Sequence, residues 1–285
     1  MQKPSRSSSR ILEKLRKPLA FARSRGGTVT AAARLFYYAG LKSSLVYRRI
    51  LRFRAGRILR IPFQVSGAKV WEVYLRDNGL DILTLMEFFS PETFIVDEFP
   101  NCAPSVIYDI GANIGVASLF FGARYPGATI YGFEPLPSNY EICSMNYQNL
   151  HQARAFPWAL GSSTGTATFE FEAADNRGGR LAASSAVNAQ RSTQSIAVEV
   201  FSIADVIGEK RLDPPELLKI DVEGAELEVL RGIGSHIGSV KAIHVETHGP
   251  ELRVECLRWL RDNGFTVIGE REEPLGTGSI WCDRQ

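Results

Sequence analysis

Paired cysteines are missing from this sequence of 285 residues. Its four cysteines, Cys102, Cys143, Cys256 and Cys282, stand far apart with no C-x-x-C among them. That excludes a zinc ribbon, a thioredoxin-type redox pair and a disulfide-stapled mini-domain, and it fits a reducing compartment. Long apolar runs are missing too. The best candidate, Thr28 to Leu41, is short of the roughly 18 residues a bilayer span needs and is interrupted by Arg34. The first thirty residues lack the apolar stretch of a signal peptide. A cytoplasmic protein is therefore expected, with peripheral membrane contact left open. No internal repeat is found. What remains, 45% hydrophobic and 22% charged residues, is the composition of a globular chain with a real core.

Acids are nearly absent from one end. Residues 1–60 carry 16 Lys and Arg against the single acid Glu13, a charge of +15. The other 225 residues then hold 17 bases against 30 acids, or −13, so the net +2 conceals a basic arm on an acidic body. The first ten residues, MQKPSRSSSR, are too polar and Ser-rich to pack and read as disordered. Residues 11–60 read as helical, broken at Pro18 and Gly26-Gly27. Lys42, Arg48, Arg49, Arg52, Arg54 and Arg57 spread around most of a helical wheel, which is not the two-faced pattern of an interfacial helix.

Beyond Pro62 a strand (VWEVYL, from Val70), a turn at Asp77-Asn78-Gly79 and a helix from Asp81 to Phe89 are expected. From Ser105 the pattern is regular: VIYDI, ATIYGFEP and ARAFPWALG read as strands, each of the first two followed by a helical segment. TGTATFEFEA alternates like an antiparallel strand, residues 173–195 read as a loop, and VEVFSIADVI adds a short strand and small helix. LLKIDVEG and KAIHVETHG, each with a helix after it, then TVIGERE and GSIWCDR complete the chain. Apolar runs of strand length between helices indicate a parallel sheet covered on both faces. The expected fold is a doubly wound α/β domain with a mostly parallel seven-stranded Rossmann-like sheet and an antiparallel last strand. Three parts are expected: a basic arm at 1–61, a strand and helix segment at 62–104, and the α/β domain at 105–285 with an insertion at about 164–200.

In open α/β sheets the ligand sits at the carboxyl ends of the strands, where strand order reverses. Gly111 and Gly115 let the backbone turn sharply after VIYDI. A Gly-rich turn alone also suits NAD enzymes. Here, however, Asp109 precedes the first glycine, where it would repel a pyrophosphate, and Asn113 replaces the middle glycine of the dinucleotide fingerprint. Glu134 ends the next strand, suited to a bidentate hold on a ribose diol. Two such acids suit a cofactor that is cationic there, S-adenosylmethionine. The bland alternative is that Asp109 and Glu134 only cap helices or pair with bases.

YDIGANIG, FEP, ALG, LKIDVEGAE and VETH, in that order, resemble the FkbM family of S-adenosylmethionine-dependent methyltransferases. The resemblance runs from about Val70 to Gly249 and includes the upstream stretch LRDNGLD from Leu75 to Asp81. It implies O-methylation of a hydroxyl on a sugar, glycolipid or secondary metabolite. It also implies that Asp109, Gly111, Asn113 and Gly115 line the methionine half of the cofactor. Glu134 would hold the ribose and the Ala159 backbone would border the adenine. Residues 1–60 lie outside it.

Methyl transfer to a hydroxyl needs positioning and removal of a proton. Asp221 and Glu223 share one face at the end of a strand; His244, Glu246 and His248 share one face of the next. The candidates for the base are Asp221, Glu223, Glu246 and His248, with Asp221 also a candidate cofactor contact. The same groups could bind Mg²⁺ or a transition metal, though none is assigned. As alternatives, Glu223 caps a helix and Glu246 anchors a loop. Asp213-Pro-Pro-Glu216 is no amino-methylating motif, because it precedes its strand and no aromatic follows; nor does a Pro-Cys pair follow that strand. Arg177 and Arg180, set around Gly178-Gly179, could clamp an anionic acceptor or simply face water. The arm could meet an anionic membrane surface or nucleic acid, or fold as a lid on the acidic body. The expected acceptor is a small molecule or glycan; the competing function is RNA methylation guided by the arm. A non-catalytic binding protein is disfavoured because cofactor and acceptor motifs occur together.

Overall fold

A computed structural model describes residues 57–64, 70–78, 80–87, 102–172, 175–182, 193–272 and 277–284. The expected basic helical arm therefore lies outside the described residues, except its last few positions. The chain divides into two compact units, 1–95 and 96–285.

In the first unit β1 (Ile58–Gln64) pairs antiparallel with β2 (Val70–Arg76), and α1 (Leu80–Glu87) follows. Residues 58–60, expected at the end of a helical arm, are thus strand. Pro62 cannot sit in a helix interior and is tolerated on an edge strand, opposite Glu72. Trp71, Val73 and Leu75 are buried at alternate positions of β2. In the LRDNGLD stretch the described residues bond to one another. Asp81 is buried and accepts from the Arg76 backbone N–H (2.8 Å), its guanidinium (2.9 Å) and Asn78 (3.1 Å). Asn78 Oδ1 in turn takes the N–H groups of Leu80 and Asp81 at the start of α1.

The second unit is built on a seven-stranded sheet in the order β12-β13-β11-β10-β3-β4-β5. Its strands are β3 (Val106–Ile110), β4 (Thr129–Phe133), β5 (Ala153–Phe156), β10 (Leu217–Ile220), β11 (Ala242–His248), β12 (Thr266–Glu272) and β13 (Thr277–Asp283). β3 and β10, the central strands, are buried at every position, as parallel strands covered on both faces must be. The crossovers β3 to β4 to β5 build one way, while β10 and β11 continue from the other side of β3, all in parallel. The order reverses between β3 and β10. β13 runs antiparallel to β11 and β12, the expected antiparallel last strand.

Helices α2 (Val116–Arg124) and α3 (Pro137–Tyr147) lie beside one another, as do α5 (Glu226–Arg231) and α6 (Pro250–Asp262). The short α4 (Ile203–Gly208) is capped by Ser202, whose Oγ accepts the Asp205 N–H.

Two expectations fail around the insertion. ARAFPWALG is not one strand: Pro157 ends β5, and Ala159–Leu160 (β6) joins a second sheet. That sheet has the order β6-β9-β7-β8, with β7 (Gly165–Glu172), β8 (Asp175–Leu181) and β9 (Thr193–Phe201). Residues 175–181, expected as loop, are therefore strand, and β9 is nine residues long. Gly179, one of the residues that suggest a loop, serves packing: a Cβ on it would stand 2.5 Å from the Phe169 ring. The second sheet packs Phe169, Val198 and Val200 against Leu136, just beyond β4. Residues 173–174 and 183–192 of the expected loop lie outside the described residues.

Candidate active site

The turns after β3 and β10 meet at the reversal of strand order. Asp221 N donates to Ile110 O (3.1 Å), and the N–H groups of Gly111 and Ala112 both donate to Phe133 O at 3.0 Å. Gly111 has φ +75°, and a Cβ there would stand 1.8 Å from the Asp221 carbonyl oxygen. Only glycine fits. Asn113 also lies in the left-handed region, with φ +50°, and its N–H points to Glu134. The Glu134 carboxylate accepts from Asn113 N (2.8 Å), Leu136 N (2.9 Å) and Asn139 Nδ2 (3.4 Å). Burial pushes its pKa up to about 7 against those three donors.

Beneath the turn is a buried ion cluster. Lys219 Nζ donates to Gly111 O at 2.8 Å, and stands 3.3 Å from Asp109 Oδ1 and 3.4 Å from Asp221 Oδ2. Burial draws the lysine pKa down, but the two carboxylates outweigh it and the group is held protonated. Asp109 is wholly buried, and its second oxygen accepts from Ser118 Oγ (2.7 Å), which lies 2.5 Å from Tyr147 Oη. A Cβ on Gly115 would press on this Tyr147 ring and on Cys143.

At the ends of β10 and β11 stand Asp221, Glu223, Glu246 and His248. His248 Nε2 is 3.4 Å from Glu223 Oε2 and 4.0 Å from Asp221 Oδ1, and Nδ1 is 2.9 Å from Glu226 Oε1. Burial disfavours the imidazolium, but the hydrogen bond to Glu226 and the charges of Glu223 and Asp221 prevail, raising His248 to about 10. Asp221 is opposed by burial yet held below the usual carboxylate range by Lys219, His248 and His244. Asp221 in turn, with burial, pushes Glu246 up to about 8. His244, stacked on Trp281 with centroids 5.1 Å apart, falls to about 3 through burial and the nearby Lys219. Asp221, Glu223 and His248 offer ligand atoms within 4.8 Å of one another, a spacing that could hold a cation.

A cleft open to solvent on one side lies over the reversal point. Gly111, Asn113, Glu134, Ala159, Asp221 and Glu223 line it, with Trp158, Phe169 and Leu181 forming a wall from β6 to β8 and the strand end before them. Of the residues expected at the site, Asp109 and Gly115 are not among those lining the cleft, whereas Glu246 and His248 adjoin it through Asp221 and Glu223. Arg180 pairs with Glu170 at 3.5 Å on neighbouring strands; the Arg177 side chain lies outside the described residues. Sequence reasoning gave no role to Trp158, nor to Lys219 and Glu226, although both stand in the LKIDVEGAE motif. Lys219 had a signal, a lysine inside an apolar strand beside Asp221.

A mostly parallel α/β sheet, with an acid-lined cleft at its reversal point and a glycine turn beneath, defines a Rossmann-like fold with its ligand site at the switch point. More narrowly, the chain belongs to the methyltransferase FkbM domain family, which matches residues 109–267. It is 31% identical over 220 residues to methyltransferase sdnD of Sordaria araneosa, covering 66% of this chain and 83% of that protein. It is 28% identical over 248 residues to the 31-O-demethyl-FK506 methyltransferase FkbM of Streptomyces tacrolimicus (78% and 93% covered). The hexuronic acid methyltransferase AglP of Haloferax volcanii is 23% identical over 257 residues (86% and 98%). Membership makes the chain a methyltransferase and implies S-adenosylmethionine as donor. The residues present fit that group: the Gly111 cradle has no room for a Cβ, Glu134 holds a fixed carboxylate in the cleft, and carboxylates at the strand ends outnumber cations.

Proposed function

We propose that the protein uses S-adenosylmethionine to O-methylate a hydroxyl of a sugar, glycolipid or secondary metabolite. The observation that carries this reading is the Glu134 carboxylate, anchored by two backbone N–H groups in a cleft that also holds Asp221 and Glu223. Relatives named for a hexuronic acid and for 31-O-demethyl-FK506 support an acceptor of this kind. Bound S-adenosylmethionine supplies an electrophilic methyl group. Glu134 would accept hydrogen bonds from the ribose, Gly111 and Asn113 would flank the methionine half, and Ala159 and Trp158 would border the adenine. Asp109 acts from below, fixing Lys219 and through it the Gly111 carbonyl and Asp221. The acceptor's proton would pass to His248, at Nε2. The carboxylates that hold the imidazolium are shared with any cation in the cleft, so His248 yields its proton more readily in a loaded site. No metal is assigned to Asp221, Glu223 and His248.

Calorimetric titration with S-adenosylmethionine tests the reading. Micromolar binding by the native protein, weakened at least tenfold in a folded Glu134→Ala variant, is expected. A folded native protein that binds none would sink it. The +15 of residues 1–60 is the observation that favours RNA as acceptor instead. RNA binding that falls steeply with salt would support that reading, and binding only to anionic vesicles would support a lipid-linked acceptor.

A further inference from the structure

Glu226 closes the LKIDVEGAE motif without an assigned role, yet it is wholly buried at the first turn of α5 and touches the group proposed to take the proton. Its Oε1 accepts the Gly224 N–H at 2.9 Å and lies 2.9 Å from His248 Nδ1. Its Oε2 has no hydrogen-bond partner among the described residues. A carboxylate has no proton to give, so in this contact Nδ1 is the donor. The neutral imidazole then carries its hydrogen on Nδ1 and its lone pair on Nε2, the nitrogen facing Glu223 and Asp221.

We propose that Glu226 is a positioning residue that fixes the tautomer and orientation of His248, so that Nε2 takes the acceptor's proton. The assignment rests on the methyltransferase reading for its purpose, not for its geometry. The step starts from the neutral ring, after the Nε2 proton of the imidazolium has left to solvent: the acceptor O–H bond breaks and its proton goes to Nε2. The oxygen's electron pair forms the O–CH₃ bond, and the S–CH₃ electron pair leaves with sulfur, which becomes a neutral thioether. Nothing else is consumed. The charged and titratable groups facing His248 are Glu226 on α5, Glu223 and Asp221 in the turn before it, and Glu246 on its own strand. Thr277, its partner on β13, carries no charge.

The test is ¹⁵N NMR of the histidine side chains in the full chain, with His248 assigned by its loss in His248→Gln. The sequence has four histidines, so the assignment is direct. His248 is expected to titrate well above the ordinary histidine range in the native protein. In Glu226→Gln, whose amide oxygen can still accept from Nδ1, its proton affinity should fall at least tenfold with the Nδ1–H tautomer kept. In Glu226→Met the neutral ring should change to Nε2–H. A proton affinity equal in native and Glu226→Gln proteins, or an Nε2–H neutral ring in Glu226→Gln, would overturn the assignment. So would ordinary titration of His248 in the native protein, which requires no variant to fold. A native protein that shows the expected titration but binds no S-adenosylmethionine would instead remove the methyltransferase reading and leave the dyad standing.

Discussion

Gly111 is the residue on which the cleft floor depends most directly. Two constraints coincide there, a φ of +75° and a neighbouring carbonyl that would stand 1.8 Å from any Cβ. Gly111→Ala is therefore expected to cost ~1–3 kcal/mol from backbone conformation alone, with more from the collision, and to abolish binding of S-adenosylmethionine; denaturant melts and calorimetry check both. Wild-type affinity in that variant would mean the β3 turn does not frame the ligand. Asp109 behaves differently. Its removal leaves Lys219 buried among fewer anions, and breaking such a pair costs about 3–5 kcal/mol. Asp109→Ala should thus lose stability in a denaturant melt before it reports on binding, whereas a stable Asp109→Ala would show that Asp221 alone can hold Lys219. The glycine turn and the acids were legible in the sequence because they stand at strand ends in a recognisable order. The role of Lys219 was not, since two of the groups it touches, Asp109 and Gly111, lie more than a hundred positions earlier. Glu226 was hidden differently: an acid in the first turn of a helix reads as a favourable dipole partner, and only the fold brings His248 against it.

Among the elements, those with a strong period were legible. β3, β4, β10 and β11 are apolar runs between helices, and they are found as expected. Elements whose composition misleads were not. Gly178-Gly179 suggests a loop, yet the missing side chain at 179 is what lets the Phe169 ring cross β8. ARAFPWALG reads as one mostly apolar run, but Pro157 hands the chain from the main sheet to the second. That second sheet approaches the main body closely at several points. One is Gly232 at the end of α5, where a Cβ would stand 2.0 Å from Gly161 O, just past β6, and whose own carbonyl accepts the Ala204 N–H of α4. Gly232 has an ordinary helical φ of −66°, so only the collision opposes a side chain. Gly232→Ala should therefore lower stability by about 1–3 kcal/mol, the usual cost of overpacking. Urea midpoints measure this, and an unchanged midpoint would mean that α5 and β6 can separate freely.

Across the whole molecule, the groups that crowd the cleft give the protein a pH dependence of one sign. Glu134 and Glu246 keep their protons to about pH 7 and 8 in the folded chain but lose them near 4.5 when unfolded. His248 keeps its proton to about 10 rather than 6.5. Above pH 6.5 the native state therefore binds more protons than the unfolded state, and stability falls as pH rises. His244, held neutral down to about pH 3, has the opposite effect only below 6.5. Asp221, depressed below its ordinary range, has reached its full contribution before this window opens. The melting temperature is thus expected to fall steadily from pH 6.5 to about 9, and Glu246→Gln, which cannot ionise, should flatten the part of the slope below pH 8. The same carboxylates that strain against one another in the free protein would face the positive charge of bound S-adenosylmethionine. A ligand at a hundred times its dissociation constant adds about 2.7 kcal/mol, and here that gain should grow with pH, because each proton released from the cleft exposes charge for the cation to neutralise. Thermal melts at pH 6.5, 7.5 and 8.5, with and without the ligand, decide it. Stabilisation that is equal at all three would separate cofactor binding from the titrating cluster, and His248 would then have to surrender its proton by some means other than the charge brought into the cleft.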